Sequence, residues 1–204
     1  MKPVQLPYGI DVLEPYISQK NLDLHYSGFY RAYLKNLQVN GEDGASGPGD
    51  LIKYSSGLIQ YNAVQAWNHQ FYFSSLKKGP NMLHPGQLLA ALNGSFGSFR
   101  YFKDAFIKYS LISNRHGWIW LVVNHHGAVE IIKETKTNHP LLTGMFPLFV
   151  CDLWEHAYML DYDHNIRAYI ESFLKIINWD LIEYRYYNAI MQLTGSKTFI
   201  PQLF

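Results

Sequence analysis

The chain has 204 residues, 48% of them hydrophobic and 16% charged, a composition that excludes a disordered protein and suffices for one large or two small domains. Its formal net charge of +1 gives no bulk reason to bind nucleic acid, a membrane surface or a polyanion, so any attraction of an anionic substrate has to be local. Cys151 is the only cysteine, which excludes an internal disulfide and fits a reducing compartment.

The N-terminus passes from Met1, Lys2 and Pro3 into Leu6, Pro7 and Tyr8 without the apolar core of a signal peptide, and no run approaches membrane-spanning length. A cytoplasmic location is expected. Residues 21–36 carry the apolar recurrence of an amphipathic helix, with His25, Phe29 and Tyr33 four apart on one stripe. Residues 38–48 collect Gly41, Gly44 and Gly47 among polar residues and read as a loop. Helical periodicity returns over 58–76, where Gln65, His69 and Phe73 form a second stripe. Two antiparallel helices would therefore turn His25 and His69 toward each other.

The breaker-rich stretch 77–86 divides the chain into an N-terminal helical hairpin domain, 1–80, and a C-terminal domain, 81–204. Residues 87–96 and 98–111 read as helices separated by Gly97. Residues 117–123 and 128–135 read as strands joined by a hairpin turn containing His125 and His126. Those two histidines suit solvated turn positions better than a metal site. Residues 165–173 and 179–193 read as further helices. The order of elements, helices and then a three-stranded antiparallel sheet with helices, makes the fold class α+β.

A third strand, 145–150, leads into Cys151 and Asp152, with His156 just beyond it. Strand ends are where sites are commonly built. Asp and His four apart offer a hard oxygen and a borderline nitrogen to one ion, although such a pair alone is more often a plain hydrogen bond.

The residues Asp152, Trp154, Glu155, His156, Ala157 and Tyr158 spell Asp-x-Trp-Glu-His-Ala-Tyr, and with His25 and His69 the chain resembles the iron/manganese superoxide dismutase family from Leu6 to Asp180. The resemblance implies a metal between the two halves, held by His25, His69, Asp152 and His156 with a solvent molecule as fifth ligand. Three imidazoles and a carboxylate suit iron or manganese in either oxidation state. The implied reaction has two steps. One superoxide reduces the trivalent metal and leaves as dioxygen; the next reoxidises it and leaves as hydrogen peroxide with two protons.

Within that resemblance Gln65 is the glutamine that hydrogen-bonds the coordinated solvent, and its place in the N-terminal half is iron-type. Manganese-type enzymes usually supply it from a position that falls here at Thr137. Trp67 and Tyr72 also fit the iron-type pattern. Tyr33 stands at the pocket mouth, and Trp118 and Trp154 belong to the aromatic wall.

The departures lie at the entrance and the subunit contact. Gly28 and Phe29 replace a lysine and a gateway histidine, and Met159 replaces the tyrosine that pairs with that histidine across a homodimer. Glu155, which in the family reaches the partner's ligand histidine, is kept. Asn114, Arg115 and His116 replace part of an interface motif, and Ile166 stands for an arginine, with Arg167 one place on. The resemblance thus implies an iron superoxide dismutase that pairs through Glu155 and His156, with the contact remodelled at Phe29 and Met159. A metal-binding or structural protein of the same fold with little activity is the alternative, and a hydrolytic metalloenzyme is disfavoured because no general base stands beside the ligand set.

Overall fold

The computed structural model describes residues 1–39, 47–112, 116–134 and 139–195. Gly41, Gly44, Asn114, Arg115, Thr135 and Thr137 lie outside the described residues.

The N-terminal helix is compound. Helix α1 (Gln19–Asp23) is capped by Ser18, whose hydroxyl accepts the Asn21 N–H at 3.1 Å. It then widens into a π-helical stretch, Leu24–Tyr30, and returns to α geometry as α2 (Arg31–Val39). Within the π stretch each N–H reaches the carbonyl five residues back, as Arg31 does to Tyr26. The buried stripe therefore shifts by one place. It runs through His25, Tyr30, Leu34 and Leu37, while Phe29 and Tyr33, expected on the same line as His25, are only half-buried.

Helix α3 (Pro48–Tyr54), which the loop-like composition before it concealed, opens with proline in its first turn. Helix α4 (Gly57–Ser74) completes the hairpin and is the most buried helix of the first half. Here the four-residue spacing holds, and Gln65, His69 and Phe73 are all buried.

The second half begins with α5 (Gln87–Phe96) and α6 (Phe99–Ile112), separated by Gly97 at φ +86°, a conformation that L side chains rarely adopt. Strands β1 (Trp118–Val123), β2 (Val129–Lys133) and β3 (Phe146–Asp152) form an antiparallel sheet in the order β2-β1-β3. Every residue of the central strand β1 is buried. Pro147 is tolerated in β3 because that strand lies at the edge, where the register also shifts beside Val122. Asn124 closes the hairpin turn, its side-chain oxygen accepting from the His126 and Ala128 N–H groups, and His125 and His126 are exposed.

The chain continues through α7 (Pro140–Thr143), a 3-10 turn at Glu155–Ala157, α8 (Met159–Tyr162), α9 (Ile166–Ile176) and α10 (Trp179–Leu193). The architecture is α+β.

The two halves are sewn together at several points. Lys77 donates to Ile176 O at 2.8 Å and Asn178 to Ser75 O at 2.8 Å. Asn21 on α1 donates its amide to Ala157 O and to Asp161, each at 3.0 Å, which fixes the first helix against the loop after β3. Arg185 on α10 is half-buried with its guanidinium over the Phe71 ring, and it donates to the Ser74 and Ser75 hydroxyls and to Leu148 O. Among the described residues no helix is long and apolar enough to cross a membrane.

Candidate metal centre

Four side chains from four elements of the fold converge. His25 comes from the π stretch, His69 from the middle of α4, Asp152 from the last position of β3 and His156 from the 3-10 turn. One ligand atom of each lies within 4.8 Å of all the others. The pairing of Trp118 with Asp152 across β1 and β3 carries this strand end into the interior, beneath the helical hairpin.

The hydrogen bonds decide which ring atoms face inward. His69 Nδ1 lies 2.7 Å from the carbonyl of Gln65, and a carbonyl only accepts, so Nδ1 carries the proton and Nε2 a bare lone pair. That Nε2 is buried without a hydrogen-bond partner, 3.8 Å from Asp152 Oδ2. An orphaned acceptor aimed into a cluster of this kind costs free energy that a bound cation would recover. His25 Nε2 and His156 Nε2 each approach the same Oδ2 to 3.1 Å. The other carboxylate oxygen accepts the Trp154 N–H at 2.8 Å, which locks the Asp152 side chain.

Electrostatics keep these groups in ligand form. Burial lowers the pKa of His69 to about 3, with His25 adding to the effect, and burial also depresses His25. Both stay neutral imidazoles. Burial alone would raise Asp152, but His156 and His25 outweigh it and hold the carboxyl below the ordinary range. One carboxylate and neutral imidazoles are the donor set that suits iron or manganese, so the residues present fit such an ion.

Around the cluster stands a dry aromatic wall. Trp118 meets His69 edge-on at 4.9 Å, Phe73 and Tyr72 lie 5.0 and 5.2 Å from His25, and Phe29 stacks on His156 at 4.1 Å. Gln65 Oε1 accepts from Trp118 Nε1 at 3.2 Å, so its amide nitrogen is the end left to donate. The Tyr33 ring is 5.3 Å from His69, and burial together with neighbouring Tyr61 pushes its phenol pKa above the usual range. Trp67 stacks on Phe71 one layer further out.

The structure places the departing residues less uniformly than their sequence positions suggest. Gly28 and Glu155 are exposed, and Met159 is half-buried on α8. Ile166 packs in the core with 5% exposure, so it is no part of an entrance, and Arg167 lies against Glu171 at 3.7 Å.

Sequence reasoning missed a buried polar group beside the centre. Glu134 Oε2 accepts from Asn68 Nδ2 at 2.7 Å and from Trp120 Nε1 at 3.1 Å, while Asn68 Oδ1 lies 2.9 Å from His139 Nε2. The available signal was Asn68 itself, a polar residue next to His69 on a helix that is otherwise largely apolar. Glu134, directly after β2, fell within the strand expected over 128–135.

Comparison with known proteins agrees with this geometry. The profile for the alpha-hairpin domain of iron/manganese superoxide dismutases matches residues 3–77, and that for their C-terminal domain matches residues 84–185. A superoxide dismutase [Fe] of Legionella pneumophila is 38% identical over 179 residues, covering 86% of this chain and 93% of that protein. The superoxide dismutase [Fe] of Coxiella burnetii is 35% identical over 183 residues, and that of Escherichia coli K12 is 35% identical over 181 residues. Each covers 87% of this chain and 93% of the relative.

Proposed function

The chain belongs to the iron/manganese superoxide dismutase family, and from that premise we propose that it is an iron superoxide dismutase converting superoxide to dioxygen and hydrogen peroxide. The observation that carries this reading is the buried cluster of His25, His69, Asp152 and His156, with the unpartnered His69 Nε2 aimed into it. These four residues would hold one iron ion per chain. Iron bound there supplies the one-electron couple that takes an electron from one superoxide and returns it to the next.

The remaining residues set the conditions for that exchange. Asp152 contributes the negative charge that stabilises the higher oxidation state, and the neutral imidazoles stabilise the lower. Gln65 has its Oε1 taken by Trp118, which leaves its amide N–H as the group that would donate to coordinated solvent, and Tyr33, whose ring lies 5.3 Å from His69, would extend that hydrogen bonding outward. The wall formed by Phe29, Tyr72, Phe73 and Trp118 excludes bulk water and so confines the chemistry to small species.

The half-buried Phe29 and Met159 and the exposed Glu155 support a homodimer whose contact includes the loop bearing His156. The composition and the single buried cysteine support a cytoplasmic location, and the breaker-rich stretch 77–86 supports division into domains 1–80 and 81–204. The test is reconstitution of the metal-free protein with iron or with manganese, followed by dismutase assay and sedimentation. Greater activity of the iron form is expected, and a clearly more active manganese form would refute the iron assignment.

A further inference from the structure

Dismutation consumes two protons for each hydrogen peroxide, and the wall around the centre is poor in acids. The Tyr33 phenol is held above its ordinary range, and Phe29, Phe73 and Trp118 have no acidic proton to give. Glu134 is a carboxyl near the centre that is largely buried, unlike the exposed Glu155, and has no part in holding the metal. Its side chain is 8% exposed. Among the described residues its nearest basic group is His139, whose Nε2 lies 4.0 Å away.

That histidine is no counter-ion. Its Nδ1 accepts the Leu141 N–H at 3.2 Å, its Nε2–H donates to Asn68, and burial lowers its pKa to about 3. The arrangement also fixes the Asn68 amide: Oδ1 receives from His139, so Nδ2 has to donate to Glu134. Asn68 on α4 and Trp120 on β1 are neutral, and the Asp152 carboxylate on β3 opposes a second negative charge. A carboxyl buried with no cation beside it among the described residues takes up a proton instead. For Glu134, burial and the Asp152 charge prevail over the two hydrogen bonds and raise the pKa to about 8.

Glu134 also borders a cleft against the wall of the centre. It lines a cleft of about 720 Å³ together with Gln65, Trp118, Trp154, Tyr61 and His139. Gln65 and Trp118 belong to the wall of the metal cluster, Trp118 meeting His69 edge-on, so this cleft is separated from the cluster by that wall alone.

We propose that Glu134 is a proton-supplying residue for the dismutation site, acting through solvent in the cleft that it shares with Gln65. The carboxyl O–H breaks, its proton passes to cleft water and on to the reduced oxygen species, and the carboxylate left behind is held by Asn68 and Trp120. Bulk solvent at the cleft mouth returns the proton. Two such transfers balance one hydrogen peroxide.

This rests on the dismutase reading, so the test has one arm that does not. The conservative variant Glu134→Gln retains an amide oxygen for Asn68 and Trp120 but carries no acidic proton. Infrared titration of the iron-loaded protein should show a protonated carboxyl at about pH 6 that ionises above the ordinary carboxyl range and is missing from Glu134→Gln. A wild-type protein without such a carboxyl overturns the proposal, whatever its activity. In the second arm, saturating turnover of iron-replete Glu134→Gln should fall about tenfold at neutral pH. The fall of wild-type turnover through pH 8 should vanish in the variant, and added imidazolium, a small proton donor, should restore its rate. Unchanged turnover and pH profile at full iron content overturn the proposal. An inactive wild type that still shows the high-titrating carboxyl would instead locate the failure in the dismutase reading and withdraw the proposal with it.

Discussion

Phe29 lies face to face on His156, the ring centroids 4.1 Å apart and the planes 15° from parallel. The contact exists because the π stretch rotates Phe29 away from the buried stripe of its own helix and toward the 3-10 turn of the second half. An apolar ring thus braces His156 from outside while Asp152 holds it from within.

The first prediction concerns that brace. A stacked aromatic pair contributes about 0.5–1.5 kcal/mol beyond its area burial. Phe29→Ala should lower thermal stability by a few degrees and speed loss of iron to a chelator, because His156 then loses its closest stacked ring, while its Asp152 contact and its looser ring contacts with His25, His69 and Trp154 remain. Chelator kinetics identical to wild type would show that Phe29 does not hold the imidazole.

Capture of superoxide should depend little on long-range attraction. Gly28 is exposed, Ile166 is buried, and Arg167 lies beside Glu171, so none presents a free cation at the centre. The rate should fall only shallowly with added salt, since screening removes little where there is little steering. Gly28→Lys should raise the rate at low ionic strength and steepen that fall. Space permits the change, because a Cβ there meets only the end of the exposed Leu24 side chain at 3.3 Å. A steep salt dependence of the wild type would contradict this account.

Much of this was legible in the sequence because the spacing of polar residues on buried faces is itself unusual. Gln65, His69 and Phe73 keep their helical spacing in the structure, and Asp152 ends its strand as the apolar run before it implies. The π stretch was not legible. One additional residue in a turn leaves composition and periodicity almost unchanged, yet it exchanges Phe29 for Tyr30 on the buried face. Glu134 was hidden for another reason: its neighbours Asn68, Trp120 and His139 lie in three other segments, and only the tertiary packing of α4, β1 and the start of α7 brings them together.

Acid and alkali should act on the metal-free fold through different groups. His69 and His139 have folded pKa values of about 3 against an ordinary 6.5. The unfolded chain binds more protons between those values, so their contribution is intact above about pH 6.5 and is lost as pH falls toward 3. Glu134 has the opposite sign. Raised from 4.5 to about 8, it favours the folded state below its unfolded value and loses that contribution as pH rises through 8. Each group can change stability by at most about 1.4 kcal/mol per pH unit. Chemical denaturation across pH should show both declines, and Glu134→Gln should flatten only the alkaline one. A variant whose alkaline decline matches wild type would contradict the assignment to Glu134.

Arg185 is the strongest tie between α10, β3 and the end of α4. Its guanidinium donates to Ser74, Ser75 and Leu148, and burial lowers its pKa to about 9. Arg185→Met fills similar volume but leaves these acceptors without their donor, at about 1–3 kcal/mol for each buried group that water cannot reach. Denaturant unfolding should show a loss of at least that size. Iron binding by the folded fraction should persist, because Arg185 touches none of the four clustered residues. A variant as stable as wild type would mean that water replaces the guanidinium.

The central claim is that His25, His69, Asp152 and His156 together hold one redox-active iron. His69 is the residue to change, since its Nε2 faces the cluster unpartnered and its Nδ1 is already committed to Gln65. The decisive measurement is iron content and dismutase activity, taken on the same preparations of wild type and His69→Ala. We expect about one iron per chain and activity in the wild type, with both lost together in the folded variant. Full iron retention by His69→Ala, or wild-type activity that does not follow iron content, would contradict the assignment.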